Sequence, residues 1–431
     1  MQVKSAQLEN ESPSSMQDLL RANVPGLSVG FSAGPKPGGS LLIRGKNSIN
    51  AGTDPLIVLD GVIYPGDLAD INPNDIEQID VLKDASSAAI YGARSASGVI
   101  IITTKMGKSE KPTISFDASI GVATQAIVPE VYQGDEFTAW RTDVFNSANP
   151  NHRPYEFNDP RKLPADVSIE DWMKYDNSTG DPWLRRIGFK NLEIQNYLDG
   201  KSVDWADMVF QNGLRQDYNA SISGATERVN YYFSLGYINN EGAVQGNEYN
   251  AFRSNMKINA KITDWLEVGA NVNFQDRSDG DIQVSLGSNY WDNNMLRNSP
   301  YASMYDNNGN YEQYPMSGLP TNGGYNYYFD RQYYDLEKGY TVLNTIFNAK
   351  ITLPAGFSYQ FNIAPRYQWF YDRYWMSADL PNASAADRGV NRGWSKNFDW
   401  NLNNTITWDK IFGEHHFTAT LVQEAEEHRY W

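Results

Sequence analysis

The chain has 431 residues, a formal net charge of -16 and no cysteine. The missing cysteine excludes a disulfide framework, a thiolate metal site and a cysteine nucleophile, and an acidic balance without any run of Lys and Arg excludes a nucleic-acid partner. No apolar run reaches the ~18–20 residues of a membrane helix, yet 27 Tyr and 12 Trp suit a transmembrane barrel, which hides its polar residues in the lumen.

The N-terminal residues MQVKSA show no charged region leading into an apolar one, so no signal peptide is expected within these residues. Residues 1–110 read as a small α+β unit. Ser14 and Ser15 cap a short helix that runs to Arg21 and is broken by Pro25 and Gly26. The Gly-rich stretch 34–39 is a loop. Strands are expected at 41–44, 56–59 and 99–103, and a second short helix at 85–91, ended by Gly92. Pro55 and Pro73 fix the entries to a strand and a helix. Gly45, Gly61, Gly92 and Gly98 mark turns.

From about residue 112 the pattern changes to period two, with one parity apolar and the other polar. In 255–262 the apolar set is Met256, Ile258, Ala260 and Ile262, and the polar set is Asn255, Lys257, Asn259 and Lys261. Nine such segments are expected, near 113–124, 215–225, 228–239, 250–263, 265–276, 340–352, 356–370, 397–409 and 414–427. A β-sandwich strand alternates in the same way, so the connections decide. They are short after the second, fourth, sixth and eighth segments and longer after the others. Three are very long, at 125–214, 277–339 and 371–396. Outer-membrane barrels have this strict alternation of short periplasmic turns and long outer loops.

Four ordered blocks carry a family resemblance: IRG at 43–45 with PLIVLDG at 55–61, INPNDIE at 71–77, VLKDASSAAIYG at 81–92, and GVIIITTK at 98–105. They resemble the plug of SusC/RagA-type TonB-linked outer-membrane proteins, a Bacteroidota-like family. LGY at 235–237 with EG at 241–242, and DWLEVGAN at 264–271, are similar to the family's early barrel strands. The resemblance implies an α+β plug at 1–110 followed by antiparallel transmembrane β-barrel strands at 111–431, about nine of the 22 of a complete wall. It implies no enzyme, but a nutrient importer in the outer membrane of a Gram-negative bacterium. Its partners would be a SusD-like surface lipoprotein and the TonB–ExbB–ExbD complex. Its cargo would be an oligosaccharide or a peptide, and its surroundings outer-membrane lipid.

The family's TonB-contacting segment, a Val-rich run before Gly-Tyr-Gly, has no counterpart ahead of Ser14, and nine strands leave a 22-stranded wall unfinished with bare edges. The chain is therefore expected to be a piece of the transporter, cut at both ends. A non-transporting outer-membrane protein that binds or docks a glycan or a surface lipoprotein is the alternative.

The plug residues singled out by the motif are Arg44, Gly45, Asp60, Gly61, Lys83, Asp84, Tyr91, Gly92 and Arg94. Arg44 and Arg94 either pair with lumen carboxylates of the wall and latch the plug, or tie the plug's own sheet together. The link 277–339 is dense in aromatic and amide side chains. Tyr290, Trp291, Asn293 and Tyr301 are candidate cargo contacts, against a bland reading in which such rings only fill the loop or mark the membrane interface. Asp276, Asp279 and Asp281 with Gly280 could hold calcium through oxygen, but the spacing does not match an EF-hand loop, so no cofactor or metal is expected. The adjacent His415 and His416 point to opposite faces of a strand. GKS at 107–109 lacks the first glycine of a phosphate loop and is read as the linker between plug and barrel.

Overall fold

The computed structural model describes residues 2–4, 13, 15–21, 23–32, 34–43, 45, 53–84, 88–124, 130–174, 181–278, 296–316, 324–380 and 389–431. Arg44, Asp279, Gly280, Asp281, Tyr290, Trp291 and Asn293 lie outside these residues.

The N-terminal unit is built on a five-stranded sheet of order β1-β6-β7-β4-β5. Its strands are β1 (Gln2–Lys4), β4 (Leu56–Leu59), β5 (Val62–Ile63), β6 (Ile76–Leu82) and β7 (Val99–Thr104). Strands β4 and β7 run parallel and the other pairs antiparallel. A small hairpin joins β2 (Leu27–Val29) to β3 (Leu41–Ile43). Helix α1 (Met16–Leu20) starts at a capping box, in which the Ser15 hydroxyl takes the Asp18 N–H and the Asp18 carboxylate takes the Ser15 N–H. This satisfies orphan donors of the first turn. The helix lays Met16, Leu19 and Leu20 on Ile76, Ile79, Ile100 and Ile102. The other face of the sheet buries Val58, Ile63, Ala88 and Val99. A sheet covered on both faces explains the unbroken apolar run of β7.

Of the second expected helix, at 85–91, residues 85–87 lie outside the described residues; Ala88 is α-helical, its N–H bonded to the Asp84 carbonyl, and the chain continues past the expected end. The helical stretch is a 3-10 run over Ala89–Ser97, with Gly92 as a positive-φ kink inside it and Gly98 ending it. Gly92 therefore bends the element, and the chain stops only where Gly98 turns into β7. Sequence reasoning also passes over β6, whose polar Glu77, Gln78 and Asp80 break the apolar alternation.

The rest of the chain forms one nine-stranded antiparallel sheet in sequential order. Its strands are β8 (Thr113–Ala123), β9 (Gly213–Ala225), β10 (Val229–Glu241), β11 (Glu248–Lys261), β12 (Leu266–Ser278), β13 (Tyr334–Thr352), β14 (Phe357–Met376), β15 (Val390–Phe412) and β16 (His415–Tyr430). All nine overlap the alternating segments, but β14 and β15 run into the expected long link at 371–396 and leave only 377–389 between them, because their period-two pattern continues past the expected ends. The sheet is open, with β8 and β16 as its edges. The pleat separates two faces. Phe233, Leu235, Tyr237, Phe252, Met256 and Ile258 are exposed on the outer face, whereas Ser234, Asn240, Asn255, Asn271 and Gln275 are buried against the N-terminal unit. Two apolar residues of the inner face, Ile346 and Ala364, enter the core of that unit.

The long links are not bare loops. The link after β8 folds into α2 (Gly134–Ala148), α3 (Ile169–Met173), α4 (Pro182–Arg186), α5 (Asn191–Leu198) and α6 (Trp205–Val209). Ser168, Asp181 and Asp204 cap the N-termini of α3, α4 and α6, with Pro182 at the first position of α4, all of them helix-start signals. The link after β12 packs on these helices and ends in α7 (Tyr327–Arg331). Trp205 Nε1 donates to the Ser299 carbonyl at 2.9 Å, and Asn196 Nδ2 to the Tyr301 carbonyl at 2.8 Å. The two links thus form one cap at the long-link end of the sheet.

Trp205 is 1% exposed, so Trp205→Ala should lower the stability of the cap by about 3–5 kcal/mol. Limited proteolysis of the full-length protein is expected to cut faster within both 130–210 and 296–316, while heat-modifiable migration on a gel is unchanged.

Candidate functional site

The inner face of the wall and the N-terminal unit meet along a polar seam, and most of its ties come from residues 60–75. Strands β4 and β5 are joined by a two-residue turn, Asp60-Gly61, with φ of +47° and +88°. Asp-Gly is the pair that a type I′ hairpin turn favours, because both positions need positive φ. The turn aims the Asp60 carboxylate at the wall. It accepts the Thr104 N–H at 3.0 Å, the Thr104 hydroxyl at 2.7 Å, Lys257 Nζ of β11 at 3.0 Å and Asn271 Nδ2 of β12 at 2.7 Å. The Gly61 carbonyl accepts Asn403 Nδ2 of β15 at 3.2 Å.

Two 3-10 turns follow, Leu68–Asp70 and Pro73–Asp75, capped by the side chains of Asp67 and Asn72. Asp70 lies between two guanidinium groups of the wall. Arg277 Nη1 of β12 reaches one oxygen and Arg366 Nη2 of β14 the other at 3.1 Å, with all three side chains at most 4% exposed. Arg366 also pairs with Asp399 of β15 at 3.2 Å, and Asp399 accepts a contact from His428 of β16 at 2.8 Å. Charges this deep persist only when paired and hydrogen-bonded. Arg277 also faces Asp67, which pairs with Lys36 at 2.9 Å. Burial pushes the Asp67 carboxyl up, but the Ala69 N–H, Lys36 and Arg277 outweigh it and hold the group below its usual range.

The other ties made by residues 69–75 involve no ion pair. Asn72 Nδ2 donates to Asn219 of β9 at 3.0 Å, and Gln275 Nε2 of β12 to the Ala69 carbonyl at 3.3 Å. The Tyr232 hydroxyl of β10 donates to the buried Asp75 carboxylate at 2.8 Å. Burial raises the Asp75 carboxyl above its ordinary value, and its polar neighbours Ser234, Tyr232, Lys105 and Asn255 offset this only in part. Asp75 therefore takes up a proton more readily than a free carboxylate.

At the far side of the unit, Arg94 forks onto Glu424, at 2.8 Å, and Glu426, both on β16. Of the two readings of Arg94, the structure shows the contact to wall carboxylates. Asp60 and Gly61 bond the wall, as above, whereas Lys83, Asp84, Gly45 and Tyr91 lie within the unit itself. Lys83 Nζ bonds the Pro25 carbonyl and the Asp84 carbonyl accepts the Ala88 N–H. Gly45 follows β3, and Tyr91 packs beside Val58 and Ala88. Among the candidate cargo contacts, Tyr301 is 6% exposed and packed edge-on to Phe137 and Tyr197 and tilted against Phe189. Its ring fills the cap and presents no face to cargo. Asp276 of the calcium candidate accepts the Thr341 hydroxyl at 2.7 Å.

Sequence reasoning missed Asp70, Arg277, Arg366 and Asp399. A signal was present, since each wall member stands within a strand on the parity opposite the apolar one. An ionised residue there needs a partner from inside. Lys257 carries the same mark.

A family profile for the TonB-dependent receptor plug domain matches residues 1–99. The chain is 29% identical to the TonB-dependent receptor SusC of Bacteroides thetaiotaomicron over 325 residues, covering 72% of this chain and 27% of that protein. It is also 29% identical to the TonB-dependent receptor P26 of Formosa agariphila, covering 97% of this chain and 38% of that protein. In fold it is similar to a chain of the RagAB peptide transporter, with a TM-score of 0.78 at 24% identity, over 99% of this chain and 47% of that one. The chain thus spans less than half the length of these relatives.

Asp70→Asn should weaken seating of the N-terminal unit by about 3–5 kcal/mol, because it leaves Arg277 and Arg366 charged and short of their acceptor. In the full-length protein, leakage of a small solute through the outer membrane should rise, and adding Arg277→Met and Arg366→Met should bring it back down. For Asp75 the raised folded value means that its stabilisation is complete at pH below the unfolded carboxyl range and is lost as pH rises through the raised value. Leakage should therefore climb with pH above the ordinary carboxylate range, and Asp75→Asn should flatten that climb.

Proposed function

Because the chain belongs to the SusC/RagA family of TonB-dependent outer-membrane proteins, we propose that it forms the plug and part of the barrel wall of an energised importer of oligosaccharides or peptides. The observation that carries this reading is the seating of the plug. Asp60, Asp70 and Arg94 bind it to four wall strands through charged pairs, and Asn72 and Asp75 bind it through single side-chain hydrogen bonds. Such a seam closes the lumen, yet each tie is a side-chain contact that a pull on the plug can break singly. Opening then needs work, which the TonB–ExbB–ExbD complex would supply from the short-turn, periplasmic end.

The cap at the long-link end supports a partner on the outside, a SusD-like surface lipoprotein. Its helices form a surface ordered enough to dock against, and its core joins two links that would otherwise move apart. A glycan cargo and a peptide cargo both suit the polar inner face. A docking protein without transport has no need of a separable plug, and this argues for import.

The test is uptake by cells carrying the full-length protein. Entry of cargo should stop when a protonophore collapses the proton gradient, while binding at the cell surface persists. Arg94→Ala should raise passive small-solute entry several-fold, since its fork to Glu424 and Glu426 is charge-assisted. Uptake that continues at the same rate without a proton gradient would sink the import reading.

A further inference from the structure

We propose that a row of asparagines on the inner face of the wall, Asn259, Asn348, Asn362 and Asn403, forms a hydrogen-bonding track for an uncharged chain rich in hydroxyl or amide groups. The inference rests on the import reading and names the chemistry that passes through the opened lumen. The row crosses five adjacent strands in direct register: Asn259 of β11 opposes Gly269 of β12, which opposes Asn348 of β13, then Asn362 of β14 and Asn403 of β15. At the ordinary strand spacing it spans roughly 19 Å.

Gly269 is the member that makes the row continuous. A Cβ there would come within 2.1 Å of Asn259 Oδ1 and 2.6 Å of Asn348 Nδ2. The two amides therefore lean over the glycine from either side, and any side chain would drive them apart. Further along, Asn362 Nδ2 donates to Asn403 Oδ1 at 2.6 Å, and Asn403 Nδ2 donates to the plug at the Gly61 carbonyl. The β4–β5 turn of the plug thus sits on one end of the row. When the plug moves, Asn403 loses its acceptor, while Asn259 and Asn348 already face the lumen, half-buried.

Amides facing an open lumen can bond water, and a passing neutral chain can take the place of that water with either a donor or an acceptor, because each amide offers both. The row carries no charge of its own. On its short-turn side Glu267 directly opposes Lys350, so neither sign is favoured there. Sugar hydroxyls and peptide amides share this chemistry. The track would hold a chain weakly at several points and release it stepwise.

The experiment uses the full-length transporter in its outer membrane, with labelled maltohexaose and an end-blocked Gly-Ser hexapeptide as probes. Asn348→Leu and Asn259→Leu remove amides that have no role in holding the plug. Initial uptake of at least one probe should fall by about five-fold, the factor of one net hydrogen bond, with surface binding and heat-modifiable migration unchanged. Asn348→Gln should recover most of the rate. A fall for maltohexaose alone assigns the track to hydroxyls, and a fall for the peptide alone to amides. Should the leucine variants fail to fold, Asn348→Ser is scored by the same measures. Uptake at the parental rate in the leucine or serine variants would overturn the track and leave the import reading standing. A parent that admits neither probe would also overturn the track, and the protonophore and Arg94 experiments judge import separately.

Discussion

One carboxylate sets the terms for the whole seam. Asp70 is buried between Arg277 and Arg366, and burying any of the three charges without its partner would be strongly unfavourable. The arginines fix where the plug must sit, and Asp70 fixes which face of it meets the wall. Other ties adjust to that placement. The Asp60-Gly61 turn reaches Lys257 and Asn271, Asn72 reaches Asn219, and Tyr232 reaches Asp75. The seam therefore mixes a few strong pairs that set register with single hydrogen bonds that fill the remaining polar surface.

The two faces of the wall answer to two solvents with one repeat. On the outer face the apolar parity meets the hydrocarbon, and on the inner face the polar parity meets the plug. Amides dominate inside, and several charged members take part in pairs, Lys257 with Asp60 and Arg366 with Asp70 among them. This division leaves the wall self-consistent once the plug is seated. It also explains why the plug's own surface between 60 and 75 carries short acids and amides on turns. Short side chains on stiff turns reach a flat wall without the entropy loss of long ones.

Much of this was legible from the sequence. All nine wall strands follow from period two, and the plug follows from four ordered blocks, because both rest on local patterns. What was not legible depends on distant residues meeting. Asp70 and Arg277 are far apart in sequence, and nothing local in the run LADI around Asp70 marks a buried ion pair. The helices of the cap could have been read, since Ser168, Asp181-Pro182 and Asp204 are ordinary start signals, but the length of the link hid them. Tyr301 shows the limit of composition. An aromatic ring counts alike whether it faces cargo or, as here, packs on Phe137 and Tyr197. The 3-10 run past Gly92 was missed because a glycine was taken as a stop when it is a bend.

Ile346 and Ala364 of the wall belong to the same apolar core as Leu59, Val62 and Ile71 of the plug. The plug is therefore not a finished globule that has been dropped into a tube. Its apolar interior is completed only by two side chains that arrive from the wall, so plug and wall share one core and the stability of either cannot be assigned to it alone.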